Sequence, residues 1–131
     1  MNQSQAQAQA QNRFILLDKC KELAIKTYKL CKILPKEERY GIISQMQRAA
    51  ISVGSNIAEG RERKEKDNIN FIRTARGSLY ELKIQLEIVE NIYADLIEDS
   101  CEEMYLLIDE IGKMSYGLSQ SLCQRLKDGI E

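Results

Sequence analysis

A chain of 131 residues, 44% hydrophobic and 30% charged, has the size and composition of one soluble globular domain with its own core. It contains no histidine, which excludes thiolate–imidazole zinc sites, Cys–His nucleophiles and the Glu-x-x-His pairs of di-iron bundles. The formal net charge is −1, and no apolar run approaches eighteen residues, so the sequence predicts no membrane span.

The first twelve residues form a polar tract of low complexity, rich in Gln and Ala. They lack the basic region and the apolar core of a signal peptide. Their composition predicts a disordered leader, or a fraying extension of the first helix, over residues 1–12. We expect the folded domain to occupy residues 13–131.

Hydrophobic periodicity predicts four helices in this domain. Pro35 stops the first helix, and Asp99 or Ser100 is a plausible cap for the fourth. We place the helices near residues 13–34, 36–60, 68–93 and 99–127. Long helices joined by short links favour antiparallel neighbours, and we therefore predict an all-α, antiparallel up-down-up-down four-helix bundle.

Small residues interrupt the apolar seams of the second and third helices. Gly54 and Ser55 lie in the second helix, Gly77 and Ser78 lie in the third, and a helical glycine costs roughly 1 kcal/mol relative to alanine. Close approach of the two backbones would compensate for this cost, so we predict a tight crossing between these helices. The alternative is that packing merely tolerates the glycines. Asn56 is predicted to hydrogen-bond a neighbouring helix or a terminus.

The apolar stripes are wider than a single packing seam requires. In the first helix a second leucine row runs beside the predicted seam, whose members are Leu17, Cys20, Ala24, Cys31 and Leu34. A second packing surface would serve self-association, although a wide stripe is also normal in globular bundles. The residues assigned to this surface are Leu16, Leu23, Leu30, Tyr80, Tyr105 and Tyr116.

Charge divides unevenly along the chain. Residues 1–76 contain fifteen Lys and Arg against eight Asp and Glu, a balance of +7, whereas residues 77–131 contain four against twelve, a balance of −8. This asymmetry favours contact with phosphate backbones or attraction between copies, and the alternative is a solvated surface with local pairs such as Glu62–Lys66. The basic residues assigned to the surface are Lys19, Lys26, Lys29, Arg61, Arg63, Lys64, Lys66, Arg73 and Arg76.

No pattern in the sequence calls for catalysis. There is no Walker sequence. Glu59 and Glu62 belong to a solvent-exposed, charged turn, in which carboxylates rarely have the shifted pKa values that acid–base catalysis needs. We expect no enzyme, no metal site and no cofactor; an all-helical mutase with an Arg-lined pocket is the alternative. The four cysteines contain no CxxC pair, and we expect them to be reduced and mostly buried in a cytoplasmic protein.

Two ordered motifs carry a family resemblance. They are Leu34-Pro-Lys-Glu-Glu-Arg-Tyr-Gly41 continued by Ser44-Gln-Met-Gln-Arg-Ala-Ala-Ile-Ser-Val-Gly-Ser-Asn-Ile-Ala-Glu-Gly60, and Phe71-Ile-Arg-Thr-Ala-Arg-Gly-Ser-Leu-Tyr-Glu-Leu82. Over roughly residues 13–127 the chain resembles the bacterial ribosomal-RNA intervening-sequence proteins. Such proteins are encoded within insertions in large-subunit ribosomal RNA genes and are not known as enzymes. Their relatives include the accessory protein of diversity-generating retroelements, a ring-shaped homopentamer that binds nucleic acid and a reverse transcriptase through basic surfaces.

The resemblance implies a homo-oligomer, a pentamer by this likeness, that binds RNA or DNA or a partner that handles nucleic acid. It implies a structural role for Ser55, Asn56, Glu59 and Gly60 and for the segment 77–81. Phosphate contact is implied for Arg48, Arg61, Arg63, Arg73 and Arg76. The slightly acidic composition departs from the strongly basic retroelement proteins and favours the intervening-sequence group. A reverse-transcriptase partner and a pure protein-assembly module are the alternatives.

Overall fold

The computed structural model describes residues 2–129, and of Glu98 the backbone alone. This part of the chain contains no strand, which confirms the all-helical prediction. Its α-helices are α1 (Gln3–Ile33), α2 (Ser44–Arg61), α3 (Glu65–Ile92), the short α4 (Ala94–Ile97) and α5 (Glu102–Lys127). None of the helices within residues 2–129 combines the length and hydropathy needed to cross a membrane.

Of the two alternatives for the N-terminal tract, the structure has the extension of the first helix, because residues 3–12 are the beginning of α1. The Asn2 side chain accepts a hydrogen bond from the Gln5 backbone nitrogen at 2.9 Å, and the Gln5 side chain accepts one from the Asn2 nitrogen at 3.1 Å. This reciprocal capping satisfies two backbone donors, and Ala and Gln are good helix formers. Local helix propensity therefore extends α1 by about three turns on the N-terminal side of Arg13, where the helix was predicted to begin.

Two other predicted boundaries are corrected. After Pro35 the chain forms a 3-10 turn at Lys36–Glu38 and a π-helical turn at Arg39–Ile43, within which Gly41 has non-helical dihedral angles. The second long helix consequently begins at Ser44. The fourth long helix begins at Glu102, after a 3-10 turn at Glu98–Cys101, and neither Asp99 nor Ser100 caps it.

The long helices pack as a closed set: α1 and α3 each contact both α2 and α5. Ser52 Oγ of α2 lies 2.8 Å from Ser78 Oγ of α3, and farther along α2 Gly60 faces Asn68. Residue numbers therefore rise along α2 while they fall along α3.

The interior of this set is formed by the leucines assigned to a second packing surface. Leu16, Leu23 and Leu30 are 3% exposed or less, whereas Leu17 and Ala24 lie at the border of the core. The second-surface interpretation of these leucines was wrong, because they are buried in the same core as Cys20, Cys31 and Leu34 of the predicted seam. Tyr80 and Tyr116 are about half exposed.

The predicted tight crossing of the second and third helices exists, but at a different glycine. A Cβ atom on Gly60 would lie 2.6 Å from the Asn68 amide and 2.8 Å from Phe71 Cβ, both on α3. A Cβ on Gly54 would instead meet Cys20 of α1 at 3.1 Å, and one on Gly77 would meet nothing within 4 Å. Gly60 is therefore the residue that permits the close approach of α2 and α3.

Asn56 stabilises its own helix rather than a neighbouring one. Its amide nitrogen donates to the Ser52 carbonyl at 2.8 Å and to Ser52 Oγ at 2.9 Å. Because Ser52 Oγ also bonds Ser78, the asparagine is linked to α3 through one intervening hydroxyl.

Candidate nucleic-acid interface

Cationic side chains from α1, α2, α3 and α5 meet at one end of the molecule. The turn after α2 closes with a hydrogen bond from the Arg63 nitrogen to the Gly60 carbonyl at 2.9 Å, and α3 starts directly after Lys64. Arg13 of α1 and Arg125 of α5 line the same cleft as Arg61. We call this group the basic end; its members are Arg13, Arg61, Arg63, Lys64, Lys66 and Arg125.

Aromatic rings hold two of these arginines in place. The guanidinium carbon of Arg61 lies 5.2 Å from the centre of the Phe14 ring, and that of Arg63 lies 5.5 Å from the Phe71 ring. Arg63 also donates to Glu59, one helical turn earlier, and this hydrogen bond raises the pKa of Arg63. The ring contacts orient a cation without removing its charge, whereas Glu59 partly neutralises the charge of Arg63.

Arg13, Arg61 and Arg125 converge on a cleft of about 280 Å³. Arg125 Nη2 lies 3.1 Å from Glu65 Oε1. Burial lowers the pKa of Arg13, and the nearby guanidiniums of Arg61 and Arg125 lower it further. Arg13 and Arg125 were not predicted, because neither lies in or beside the two motifs. Their positions at the predicted ends of the first and fourth helices could have indicated that they lie near Arg61.

Lys19 and Lys26 are engaged elsewhere. Lys19 pairs with Glu110 and Lys26 with Glu103, both on α5, in a surface that we call the α1–α5 flank. The hydrogen bond between Lys26 and Glu103 raises the pKa of the lysine and lowers that of the carboxyl group. Both lysines are therefore neutralised within the subunit, and we leave them out of the interface.

Arg76 bridges two helices. Its guanidinium donates to the Gly112 carbonyl, to Ser115 Oγ at 2.8 Å and to Tyr80 Oη at 3.1 Å. The rings of Tyr80 and Tyr116 lie 5.6 Å and 5.3 Å from its central carbon. These contacts tie α3 to α5, so Arg76 has a structural role rather than the expected phosphate contact.

The remaining predicted cations, Lys29, Arg48 and Arg73, are exposed. Arg73 lies on α3 about two turns after the basic end. Lys29 lies sixteen residues beyond Arg13 on α1, about 24 Å along the helix. The structure therefore does not bring Lys29 to the basic end, and Arg48 precedes Arg61 by more than three turns of α2.

The cysteines are free thiols, and Cys20, Cys31 and Cys101 are buried, as predicted. Burial raises the pKa of Cys20 to about 12 and those of Cys31 and Cys101 to about 11, so these thiols stay protonated at neutral pH. Within residues 2–129, no three Cys, Asp or Glu side chains come together as metal ligands.

Comparison with known proteins places the chain in a family. A family model described as 23S rRNA-intervening sequence protein matches residues 12–117. No curated protein matches the chain. The crystal structure of a protein of unknown function from the S23 ribosomal protein family of Bacteroides thetaiotaomicron VPI-5482 is similar, with a TM-score of 0.75 and 23% identity over 83% of this chain and 98% of that one. At this identity the likeness shows the fold alone. Because the family model spans most of the chain, the protein belongs to the 23S rRNA-intervening sequence protein family.

Proposed function

We propose that this protein is a non-enzymatic, homo-oligomeric helical bundle that binds nucleic acid through its basic end. The observation that carries the proposal is the meeting of cations from four separate helices at that end. Six cationic side chains there face four carboxylates, those of Glu59, Glu62, Glu65 and Asp67. The excess positive charge and its exposure suit contacts with phosphates, which are independent of base sequence.

The proposal includes the arrangement of the helices. We infer that α1, α2, α3 and α5 form an antiparallel up-down-up-down four-helix bundle. The closed set of helix contacts supports this arrangement, as does the opposite residue order in α2 and α3. In the pairs Lys19–Glu110 and Lys26–Glu103 the residue numbers rise along α1 while they fall along α5, so these two helices also run in opposite directions.

Self-association is supported by an apolar row on the outer face of α3. Its members recur at every fourth residue and are between 43% and 62% exposed; they are Tyr80, Ile84, Ile88 and Ile92. Exposed rows of this kind mark packing surfaces. We propose a second copy of this chain as the occupant and a pentamer as the assembly, by family likeness. Light scattering tests this, and a mass of 15.1 kDa at micromolar concentration would contradict it.

Nucleic-acid binding is tested by titrating fluorescently labelled structured RNA, and DNA of the same sequence, with the protein at several salt concentrations. We expect micromolar affinity at low salt and a linear fall of log K with log salt, since each phosphate contact releases counterions. Absence of binding at low salt would remove the proposal. Degradation of the RNA during the titration would contradict the non-enzymatic assignment.

Location and further partners are also part of the proposal. Free, buried cysteines suit a reducing compartment, and we propose a cytoplasmic protein, which cell fractionation would test. A reverse-transcriptase partner stays a prediction, to be tested by co-purification.

A further inference from the structure

The cleft at the basic end has the construction of a ligand site. Arg13 comes from α1, Arg61 from the end of α2 and Arg125 from the last turn of α5, so three separate helices supply the guanidiniums. Small side chains from the first turns of α1 leave room between them. The remaining lining residues are Ala6, Gln9, Ala10 and Phe14.

Positive charge in this cleft exceeds the negative charge that faces it. Glu65, only 12% exposed, is paired with Arg125 at 3.1 Å. Glu62 is well exposed and lies 3.9 Å from Arg61, a distance at which water weakens the attraction. Arg13 has no carboxylate of its own within ion-pair distance among the described residues. Burial lowers the pKa of Arg13, and the like charges of Arg61 and Arg125 add to this effect.

Arg13 is nevertheless held in position. The Asn68 amide, oriented to satisfy both of its ends, donates to the Gly60 carbonyl and accepts from Arg13 Nη2, each at 3.2 Å. The arginine is thus anchored through the same close contact that joins α2 to α3. A cation that is fixed before its ligand arrives loses little side-chain entropy on binding.

We propose that the cleft between Arg13, Arg61 and Arg125 binds a phosphate group. The arginine fork matches the oxygens of phosphate in two-point contacts, and the volume is close to the lower limit of about 300 Å³ for small-ligand sites. The inference deepens the proposed function, on which it rests for its source of phosphate, the backbone of a bound strand. Free phosphate is the other source of the same chemistry.

Arg13→Gln is the test variant, because it removes one charge and keeps a polar residue of good helix propensity. Arg125→Gln is unsuitable, since it would leave the mostly buried Glu65 without its partner. The matched control is Arg39→Gln, which removes an exposed arginine from the link after α1. Twenty residues of helix, about 30 Å, separate this link from Arg13. Circular dichroism and thermal unfolding establish that both variants fold.

The first readout is the thermal unfolding midpoint with and without inorganic phosphate at constant ionic strength. Phosphate stabilises most proteins by exclusion from their surface, and this general shift should occur in all three proteins. Free phosphate in the cleft adds a further shift in wild type and Arg39→Gln that Arg13→Gln lacks.

The second readout is the slope of log K against log salt for single-stranded RNA. If a strand phosphate occupies the cleft, Arg13→Gln lowers the magnitude of this slope by about 0.7, while Arg39→Gln keeps the wild-type value. The cleft proposal is overturned if neither readout separates Arg13→Gln from Arg39→Gln, and nucleic-acid binding would survive that result. A phosphate shift without any RNA binding would retain the cleft and remove the proposed function.

Discussion

The basic end and the α1–α5 flank contain the same kinds of residue and differ in what faces them. On the flank, Lys19 and Lys26 each meet a carboxylate that α5 places directly opposite. In the cleft at the basic end, three arginines face two carboxylates: Glu65 pairs with Arg125 at 3.1 Å, and the exposed Glu62 lies 3.9 Å from Arg61. Charge counted along a chain therefore overstates the charge that a ligand meets. The acidic half of this sequence neutralises part of its basic half within one subunit.

The largest expected effect concerns RNA affinity. Replacing Arg61, Arg63 and Lys64 together with glutamine should weaken binding roughly 100-fold at 50 mM salt, because about three phosphate contacts are lost. Replacing Lys19 and Lys26 together with glutamine should change affinity by no more than about twofold, since both cations lie outside the basic end and pair with carboxylates of α5. Fluorescence polarisation measures both. Equal losses would remove the distinction between the two regions.

A smaller effect concerns the packing beneath each region. Gly60→Ala should lower the free energy of unfolding by about 1–3 kcal/mol, because its Cβ would overlap Asn68 and Phe71. Gly112→Ala, in α5, is the matched control: its Cβ would meet Tyr80 Oη at 3.6 Å, an ordinary contact. We expect that variant to be neutral or more stable by up to about 1 kcal/mol. Urea unfolding distinguishes them, and similar changes in both would refute a close contact specific to Gly60.

The smallest effect concerns pH. The lowered pKa of Glu103 means that its contribution to stability is present above about pH 4.5 and is lost as pH falls through the lowered value. The raised pKa of Lys26 means that its contribution is present below about pH 10.5 and is lost as pH rises further. Lys26→Gln should therefore shift the urea midpoint slightly at pH 7 and not at pH 3. A shift of equal size at pH 3 would show that the flank pair contributes packing rather than charge.

Periodicity predicted the long helices because apolar spacing reports which face is buried. It did not show that two adjacent rows of α1 both contribute to the core, so Leu16, Leu23 and Leu30 were assigned to a second packing surface although they are buried. Whether a row is buried depends on the rotation of α1 against α2 and α5, which no single helix encodes. The π-helical turn before Ser44 was missed for a related reason: Gly41 breaks the helix through its dihedral angles, while its neighbours continue the pattern.

The candidate site was predictable only for those of its residues that are close together in the chain. Arg61, Arg63 and Lys64 adjoin one another in the chain and were assigned together, whereas Arg13 and Arg125 reach them through packing. Lys19, Lys26 and Arg76 have partners on α5 that are 36 or more residues away, which the sequence did not reveal. Their contact with nucleic acid stays a prediction. The ion pair between Glu65 and Arg125 could not be predicted for the same reason, since the two residues are far apart in the chain.

The helical start of α1 has a practical consequence. Ala6, Gln9 and Ala10 form a wall of the arginine cleft, yet they precede residue 12, where the family match begins. A protein that began at residue 12 would retain every core leucine but would lack three of the seven residues that line the cleft. Ligand screening on such a shortened protein would therefore test an incomplete cleft.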